Sequence, residues 1–211
     1  LSPSPLRSRF VIESKLKGLA EALSMADQCG TSLFGREKEG EIVRALLKFL
    51  VGQAAGESQG PGDPKGHVFA LRSLNTMVDL ELVAVQQYAE PTLLRAFFAG
   101  LQCDNDPDYV DEVLNALQKL CERHPEAIYK VNGLEELLKY IHARPDEKIF
   151  RLEGALAQIK ILCSFVEEPT EQSVKVLTDL LDHEEAKLRE GALACFIILV
   201  DRLSVNPKAL E

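Results

Sequence analysis

Residues 134–141 read LEELLKYI, and their apolar members are Leu134, Leu137, Leu138 and Ile141. The spacing i, i+3, i+4, i+7 places these side chains on one face of an α-helix. The same spacing begins 40 residues earlier at Leu94 and 40 residues later at Val174, where one of the four positions is polar. A further copy begins at Val43. The pattern therefore predicts amphipathic helices that recur along the chain.

Each of these helices is followed by a second apolar segment, and the last such stripe comprises Leu193, Phe196, Ile197 and Val200. The tetrapeptide Glu-Gly-Ala-Leu occurs in two of the second segments, at 153–156 and 190–193. Because Gly inside a helix costs about 1 kcal/mol relative to Ala, we expect Gly154 and Gly191 to allow close packing against neighbouring helices. No alternating run indicates a strand, so the predicted fold class is all-α.

The interval between the helices at Val43 and Leu94 is longer than 40 residues, and a glycine-rich segment accounts for the excess. Residues 52–66 read GQAAGESQGPGDPKG, a composition that buries little apolar surface and predicts a disordered loop. We also expect a flexible tail at residues 1–8 and an amphipathic helix over roughly 9–27 that caps the helical stack. Residues 9–211 are predicted to form a single repeat domain.

Two segments carry a resemblance to a known family. Residues 127–138, AIYKVNGLEELL, are similar to the short helix, glycine turn and second helix of an armadillo repeat, and residues 188–194 resemble the start of its third helix. HEAT repeats are close relatives, and the choice between the two families stays open. The resemblance covers 41–203 and implies a right-handed α-solenoid of about four repeats. It also implies a non-enzymatic scaffold or adaptor that binds a partner peptide or helix on its surface.

The resemblance also suggests where a partner would bind. The best-known armadillo groove uses Trp and Asn side chains on the third helices, but this chain has no Trp, and the Asn positions hold Ser73, Lys119, Lys160 and Ile197. An importin-like role in carrying basic localisation peptides is therefore disfavoured. We expect Lys119 and Lys160 to lie on the concave face and meet an acidic partner, with ordinary solvated lysines as the alternative.

Tyrosine supplies a second set of candidate contacts, because it is enriched at the centres of protein interfaces. The four tyrosines are Tyr88, Tyr109, Tyr129 and Tyr140. Of the polar and aromatic candidates, we predict that partner contacts involve Lys119, Lys160, Ser73, Tyr109 and Tyr140. An apolar helix near the end of the chain, with Phe196, Ile197 and Leu203, also suggests self-association through the terminal repeats.

Composition and charge exclude several classes of protein. The formal net charge of −9 has the wrong sign for binding nucleic acid phosphates. No segment approaches twenty consecutive apolar residues, so no membrane span is predicted. The five Cys form no Cys-x-x-Cys pair, which argues against a disulfide framework or a zinc site. Free Cys favours a reducing compartment, so the predicted location is the cytoplasm, with the nucleus as an alternative.

The sequence also lacks the common catalytic and metal-binding motifs. The sequence contains no Gly-x-Ser-x-Gly and no Walker-type phosphate loop, so no catalytic or cofactor-binding residue is predicted. The acidic cluster that begins at Asp104 does not fit a calcium loop, because Tyr109 and Asn115 occupy the sixth and twelfth positions. We therefore expect neither an enzyme nor a bound cofactor or metal.

Two alternative functions stay open at this stage. Residues 116–141 are broadly similar to armadillo-type nucleotide-exchange regulators of heat-shock ATPase chaperones. A cytoskeletal or ciliary adaptor is the other alternative, although such helical-repeat arrays usually rely on basic, Trp-bearing loops that this chain lacks.

Overall fold

The computed structural model describes residues 14–23, 25, 36–54, 64–79, 89–102 and 106–205. These residues are mainly helical and include no strand, which confirms the all-α class. The helices within them are α1 (14–23), α2 (Arg36–Ala54), α3 (Pro64–Asp79), α4 (Pro91–Gln102), α5 (Pro107–Arg123), α6 (Pro125–Tyr129), α7 (Gly133–His142), α8 (Ile149–Cys163), α9 (Glu171–Leu181) and α10 (Ala186–Val205).

The chain divides into two compact units, Leu1–Ala116 and Leu117–Glu211, and α5 contributes residues to both. In the first unit, α2 packs against α3 and α4. The predicted apolar stripes form much of the core, because burial of such faces is the main favourable contribution to folding. The buried members of these stripes in α2, α4 and α7 are Val43, Leu46, Leu50, Leu94, Phe97, Phe98, Leu101, Leu134, Leu137, Leu138 and Ile141.

The predicted faces of the last two helices are wrong. In α9 the buried residues are Ser173, Val176, Leu177 and Leu180, whereas Val174 is exposed. In α10 the buried side is formed by Leu188, Ala192, Cys195 and Leu199. In the predicted stripe, Leu193, Ile197 and Val200 are instead exposed and Phe196 is half-buried. Apolar residues surround most of α10, so its sequence contains two stripes and does not indicate which one is covered.

The helices on either side of the predicted loop extend into it. α2 continues to Ala54 and α3 begins at Pro64, so 52–54 and 64–66 are helical and the predicted bounds of the loop are wrong there. Proline suits the first position of a helix because its missing N–H would have no intrahelical acceptor. Residues 55–63 and the predicted tail at 1–8 lie outside the described residues.

The turn between α6 and α7 lies where the sequence predicts it, but its special residue is different. Asn132 has a φ of 62°, whereas Gly133 is the first residue of α7 and is buried. The left-handed conformation is uncommon outside glycine, and Asn is among the residues that adopt it most readily. The turn therefore depends on Asn132 for its backbone conformation.

The helices of the second unit pack in a regular order. α7 contacts α8 and α9, and α10 contacts α8 and α9. Glu153 of α8 lies opposite Lys187 of α10, and Leu156 lies opposite Gly191. Residue numbers thus increase in the same direction along both helices, so α8 and α10 run parallel.

Candidate protein-interaction surface

A surface groove of about 460 Å³ lies between α8 and α10 in the second unit. It is lined by four residues of each helix, which are Glu153, Leu156, Ala157 and Lys160 from α8 and Lys187, Glu190, Gly191 and Ala194 from α10. Each set follows the spacing i, i+3, i+4, i+7, so each lies along one side of its helix. The groove therefore follows the line of contact between the two helices, which we call the α8/α10 groove.

Small residues bring the two helices together at the floor of the groove. A Cβ atom placed on Gly191 would lie 3.2 Å from Cδ1 of Leu156, closer than nearly all ordinary carbon contacts. At Gly154, by contrast, a Cβ would meet no described atom within 4 Å. The expected close approach is therefore confirmed at Gly191 and wrong at Gly154.

Charged side chains form the rim of the groove. The Nζ of Lys187 lies 3.4 Å from Oε1 of Glu153, and both side chains retain contact with solvent, so this pair adds little to stability. Lys160 of α8 and Glu190 of α10 also line the groove, are exposed, and form no salt bridge among the described residues. The groove thus combines an apolar floor with one cation and one anion that are available to orient a bound segment.

The half-buried carboxylate of Glu147 anchors the start of α8. Arg151 Nη1 donates a hydrogen bond to Glu147 Oε1 at 2.9 Å, and the Tyr140 hydroxyl donates to Oε2 at 3.3 Å. Arg144 Nη1 lies 3.4 Å from the same Oε2. Because Arg151 and Tyr140 are buried, these bonds supply the polar partners that buried groups need. The cluster fixes the first turn of α8 against α7.

The titration of this cluster follows from its contacts. Burial acts to raise the pKa of Glu147, but hydrogen bonds from the Lys148 N–H and the Arg151 guanidinium outweigh it, so the pKa lies below the ordinary value. Burial, and then the negative charge of Glu147, raise the pKa of Tyr140. The carboxylate therefore stays ionised and the phenol stays protonated near neutral pH.

Among the predicted contact residues, the two lysines are accessible. Lys160 lies on the rim of the α8/α10 groove and Lys119 is partly exposed on α5. Their placement on one concave face stays a prediction. Ile197, the apolar residue at an Asn position, is exposed on α10.

Two of the predicted contacts are contradicted by burial. Ser73 has no exposed surface and its hydroxyl donates to the Phe69 carbonyl at 2.7 Å, a bond within α3. Tyr140 is also completely covered and its hydroxyl is committed to Glu147. Neither side chain can contact a partner in this conformation, because each is part of the packed interior.

The remaining tyrosines have structural neighbours. Tyr109 is half-buried beside His67, with ring centroids 5.9 Å apart, and its ring occupies the space above Gly100, where any Cβ would collide with it. Tyr129 is half-buried beside Phe165, also with centroids 5.9 Å apart. Tyr88 lies outside the described residues. Tyr109 and Tyr129 therefore offer only part of their surface to a partner.

The acidic cluster near the start of α5 caps that helix and links it to α3. Asp106 caps the helix by accepting a hydrogen bond from the Asp108 N–H at 3.0 Å, and Pro107 is the first helical residue. Glu112 accepts hydrogen bonds from Arg72 Nε at 2.6 Å and Asn75 Nδ2 at 2.9 Å. These bonds tie α5 to α3. No cluster of metal-ligand residues occurs in the part of the chain that the structure describes.

Three cysteines are buried free thiols, namely Cys121, Cys163 and Cys195. Burial raises the pKa of Cys121 to about 12. A hydrogen bond with Cys163, together with burial, raises the pKa of Cys195 well above its ordinary value. The same hydrogen bond lowers the pKa of Cys163, and burial opposes that effect. Cys121 and Cys195 are thus poor nucleophiles in the folded state, and all three buried side chains pack as small apolar residues.

Sequence reasoning missed Lys187 and Glu190 as groove residues, although a usable signal was present. Glu190 follows Glu153 by 37 residues within the repeated tetrapeptide, so the two occupy equivalent positions. Alignment of the two helices on the tetrapeptide identifies Lys187, three residues before Glu190, as a possible partner for Glu153. No comparable sequence signal identifies the Glu147 cluster.

Comparison with known proteins gives partial matches only. No protein-family model matches the chain. Its relatives include E3 ubiquitin-protein ligases: Ufd4 of Drosophila melanogaster, 29% identical over 119 residues, UPL3 of Arabidopsis thaliana, 25% identical over 200, and TRIP12 of Danio rerio, 30% identical over 120. The matches cover 53%, 93% and 54% of this chain but 4%, 10% and 6% of the respective relatives, so the similarity is to a small part of each ligase.

None of the described helices is long and apolar enough to cross a bilayer.

Proposed function

We propose that this chain is a non-enzymatic protein-interaction module that binds a peptide or helix of a partner protein in the α8/α10 groove. The groove itself carries the proposal, because it combines an apolar floor of small residues with Lys160 and Glu190 on the rim. This is the usual composition of a site that selects a segment by shape and orients it by charge.

The packing of the second unit supports the armadillo or HEAT-type solenoid as part of the proposal. α8 and α10 run parallel, and α7 and α9 also contact one another. Successive helix pairs that stack first on first and second on second bury apolar faces that a single pair would leave bare. The proposed binding surface is the flank of such a stack.

The similarity to E3 ubiquitin-protein ligases supports a more specific role. We propose that the module recruits a protein partner for a ligase of this kind, in the cytoplasm or the nucleus. The matched parts are small, so the support concerns only the interaction role and not a ligase activity of this chain.

The groove also indicates the chemistry of the bound segment. We expect an apolar side chain to lie on Ala157 and Ala194, between an acidic residue facing Lys160 and a basic residue facing Glu190. A short helix or an extended peptide can present such a sequence. Segments that lack the central apolar residue should bind poorly, because the rim charges are exposed and each contributes little alone.

A selection experiment tests the groove directly. Peptides selected from a random library on the full chain should lose measurable binding to the Ala157→Trp variant, because the indole fills the floor. Lys160→Glu should weaken binding about fivefold by repelling the acidic residue. Lys175→Glu on α9 is the matched charge-reversal control and should leave affinity unchanged. Equal affinity for all four proteins, measured by calorimetry, would rule out the groove.

The ligase role has its own test. Proteins captured from cell extract by the wild-type chain, but not by Ala157→Trp, should be enriched in ubiquitin-modified species in quantitative mass spectrometry. An unmodified set would leave the groove intact but exclude recruitment for ubiquitylation.

A further inference from the structure

The outer side of α10 carries an exposed apolar stripe. Leu193, Ile197 and Val200 are 53%, 54% and 59% exposed, and their spacing of four and three residues places them in one row. We call this row the α10 stripe. Single exposed apolar residues are ordinary on protein surfaces, but a continuous row on one helix is typical of an interaction site.

The repeated tetrapeptide identifies the residues of α8 that are equivalent to the α10 stripe, and their burial can be compared with that of the stripe. With Glu153 aligned on Glu190, Leu193 is equivalent to Leu156, and Val200 is equivalent to Cys163. In α8, Leu156 is only 3% exposed and contacts Gly191.

The other end of the row in α8 is covered in the same way. The buried Cys163 hydrogen-bonds with Cys195. The middle residue, Ile197, is equivalent to Lys160, which is exposed beside the groove. α10 therefore covers the two ends of the row of α8 that corresponds to the α10 stripe.

We propose that the α10 stripe docks a helix of a partner that runs parallel to α10 and repeats the chemistry by which α10 covers α8. That chemistry is a cation, a glycine and a small residue at intervals of four, as at Lys187, Gly191 and Cys195. The partner helix places Lys or Arg opposite Glu190 and Gly or Ala opposite Leu193. A small side chain then lies opposite Val200.

Charge and shape both support this occupant. Glu153 pairs with Lys187 across the existing interface, and Glu190, at the equivalent position of α10, is exposed and forms no salt bridge among the described residues. A second copy of the chain cannot supply the required face from its own α10, because that face is already packed against its own α8. We assign the occupant to a different protein, and the sedimentation experiment below tests a second copy instead.

The experiment uses a fluorescently labelled synthetic helix of about twenty residues with Lys, Gly and Ala at intervals of four and a soluble outer face. We expect saturable binding to the full chain in fluorescence anisotropy. Leu193→Asp should weaken binding at least about tenfold, since it places a carboxylate in the apolar contact. Glu190→Lys should weaken it about fivefold, and a probe with Leu in place of Gly should not bind.

The controls keep the outcomes distinct. Lys175→Glu should bind the probe as the wild type does, and circular dichroism checks that Leu193→Asp folds, as its exposure predicts. Absent binding, or binding unaffected by Leu193→Asp, overturns the proposal. A concentration-dependent dimer in sedimentation velocity that Leu193→Asp abolishes also overturns it, because the stripe is then occupied by a second copy.

Discussion

α8 and α10 contain the same tetrapeptide but place it in opposite environments. Leu156 of α8 is buried against Gly191, whereas Leu193 of α10 is exposed. The local sequence is identical at these four positions, so it cannot decide which copy is covered. What differs is the neighbour, because α10 packs on α8 and no described helix packs on the corresponding side of α10.

The two helices also differ at their first turns. Arg151 and Leu188 occupy equivalent positions and both are buried. Arg151 needs the carboxylate of Glu147, whereas Glu184, the equivalent of Glu147, is exposed. The position before α8 thus forms an ion pair with a buried guanidinium, whereas the equivalent residue before α10 is exposed and is followed four residues later by a buried leucine, so Glu184 can serve as the control for Glu147.

The largest expected effect is at the Glu147–Arg151 ion pair. Glu147→Ala should lower the free energy of unfolding by about 3–5 kcal/mol, because it removes the carboxylate that pairs with the buried Arg151 guanidinium. Glu184→Ala should change it by less than about 0.5 kcal/mol, since this side chain is exposed. Urea unfolding followed by circular dichroism measures both, and similar losses in the two variants would contradict the comparison.

The second prediction compares the free energies of unfolding of variants at Leu156 and Leu193. Leu156→Ala should cost about 2–5 kcal/mol, because it removes buried methyl groups and leaves a cavity beside Gly191. Leu193→Ala should cost less than about 0.5 kcal/mol in the isolated chain. The same urea titrations give both values. A large loss at Leu193 would show that α10 is covered in solution.

The dependence of stability on acid pH tests the role of the Glu147 carboxylate. The pKa of Glu147 lies below the ordinary value of 4.5, so its ionised form stabilises the fold fully above about pH 4.5. That contribution is lost as the pH falls through the lowered pKa of the folded state. The wild type should therefore lose more stability than Glu147→Gln between pH 4.5 and the acid limit of folding. Parallel curves for the two proteins would contradict this assignment.

The spacing of apolar residues predicted the helices, and the reason lies in the geometry of the amphipathic ones. In α7, charged Glu135 and Lys139 alternate with the apolar row, so only one face can be buried. In α10 either the apolar row that includes Leu188 or the one that includes Leu193 could be buried, and the packing against α8 determines which one is. Tertiary packing, which a single sequence does not encode locally, settles such cases.

The candidate site was less predictable than the fold for a related reason. Lys160 was identified from the sequence and lies on the rim of the groove. Ser73 and Tyr140 were chosen by residue type, but their hydroxyls bond inside the protein, to Phe69 and Glu147. Residue type alone does not distinguish a contact residue from a buried one, because both roles use the same hydrogen-bonding and packing groups.

The smallest effect concerns the two glycines of the tetrapeptide. Gly154→Ala should raise the free energy of unfolding by about 0.5–1 kcal/mol, because alanine favours the helix and its Cβ meets open space. Gly191→Ala gains the same helix propensity but presses its Cβ to 3.2 Å from Leu156, so its net gain should be smaller or negative. Thermal unfolding resolves the difference, and Gly191→Ala in a Leu156→Ala background should recover the gain relative to the Leu156→Ala single variant. Equal stabilisation by both alanines would mean that α8 and α10 do not approach closely at Gly191.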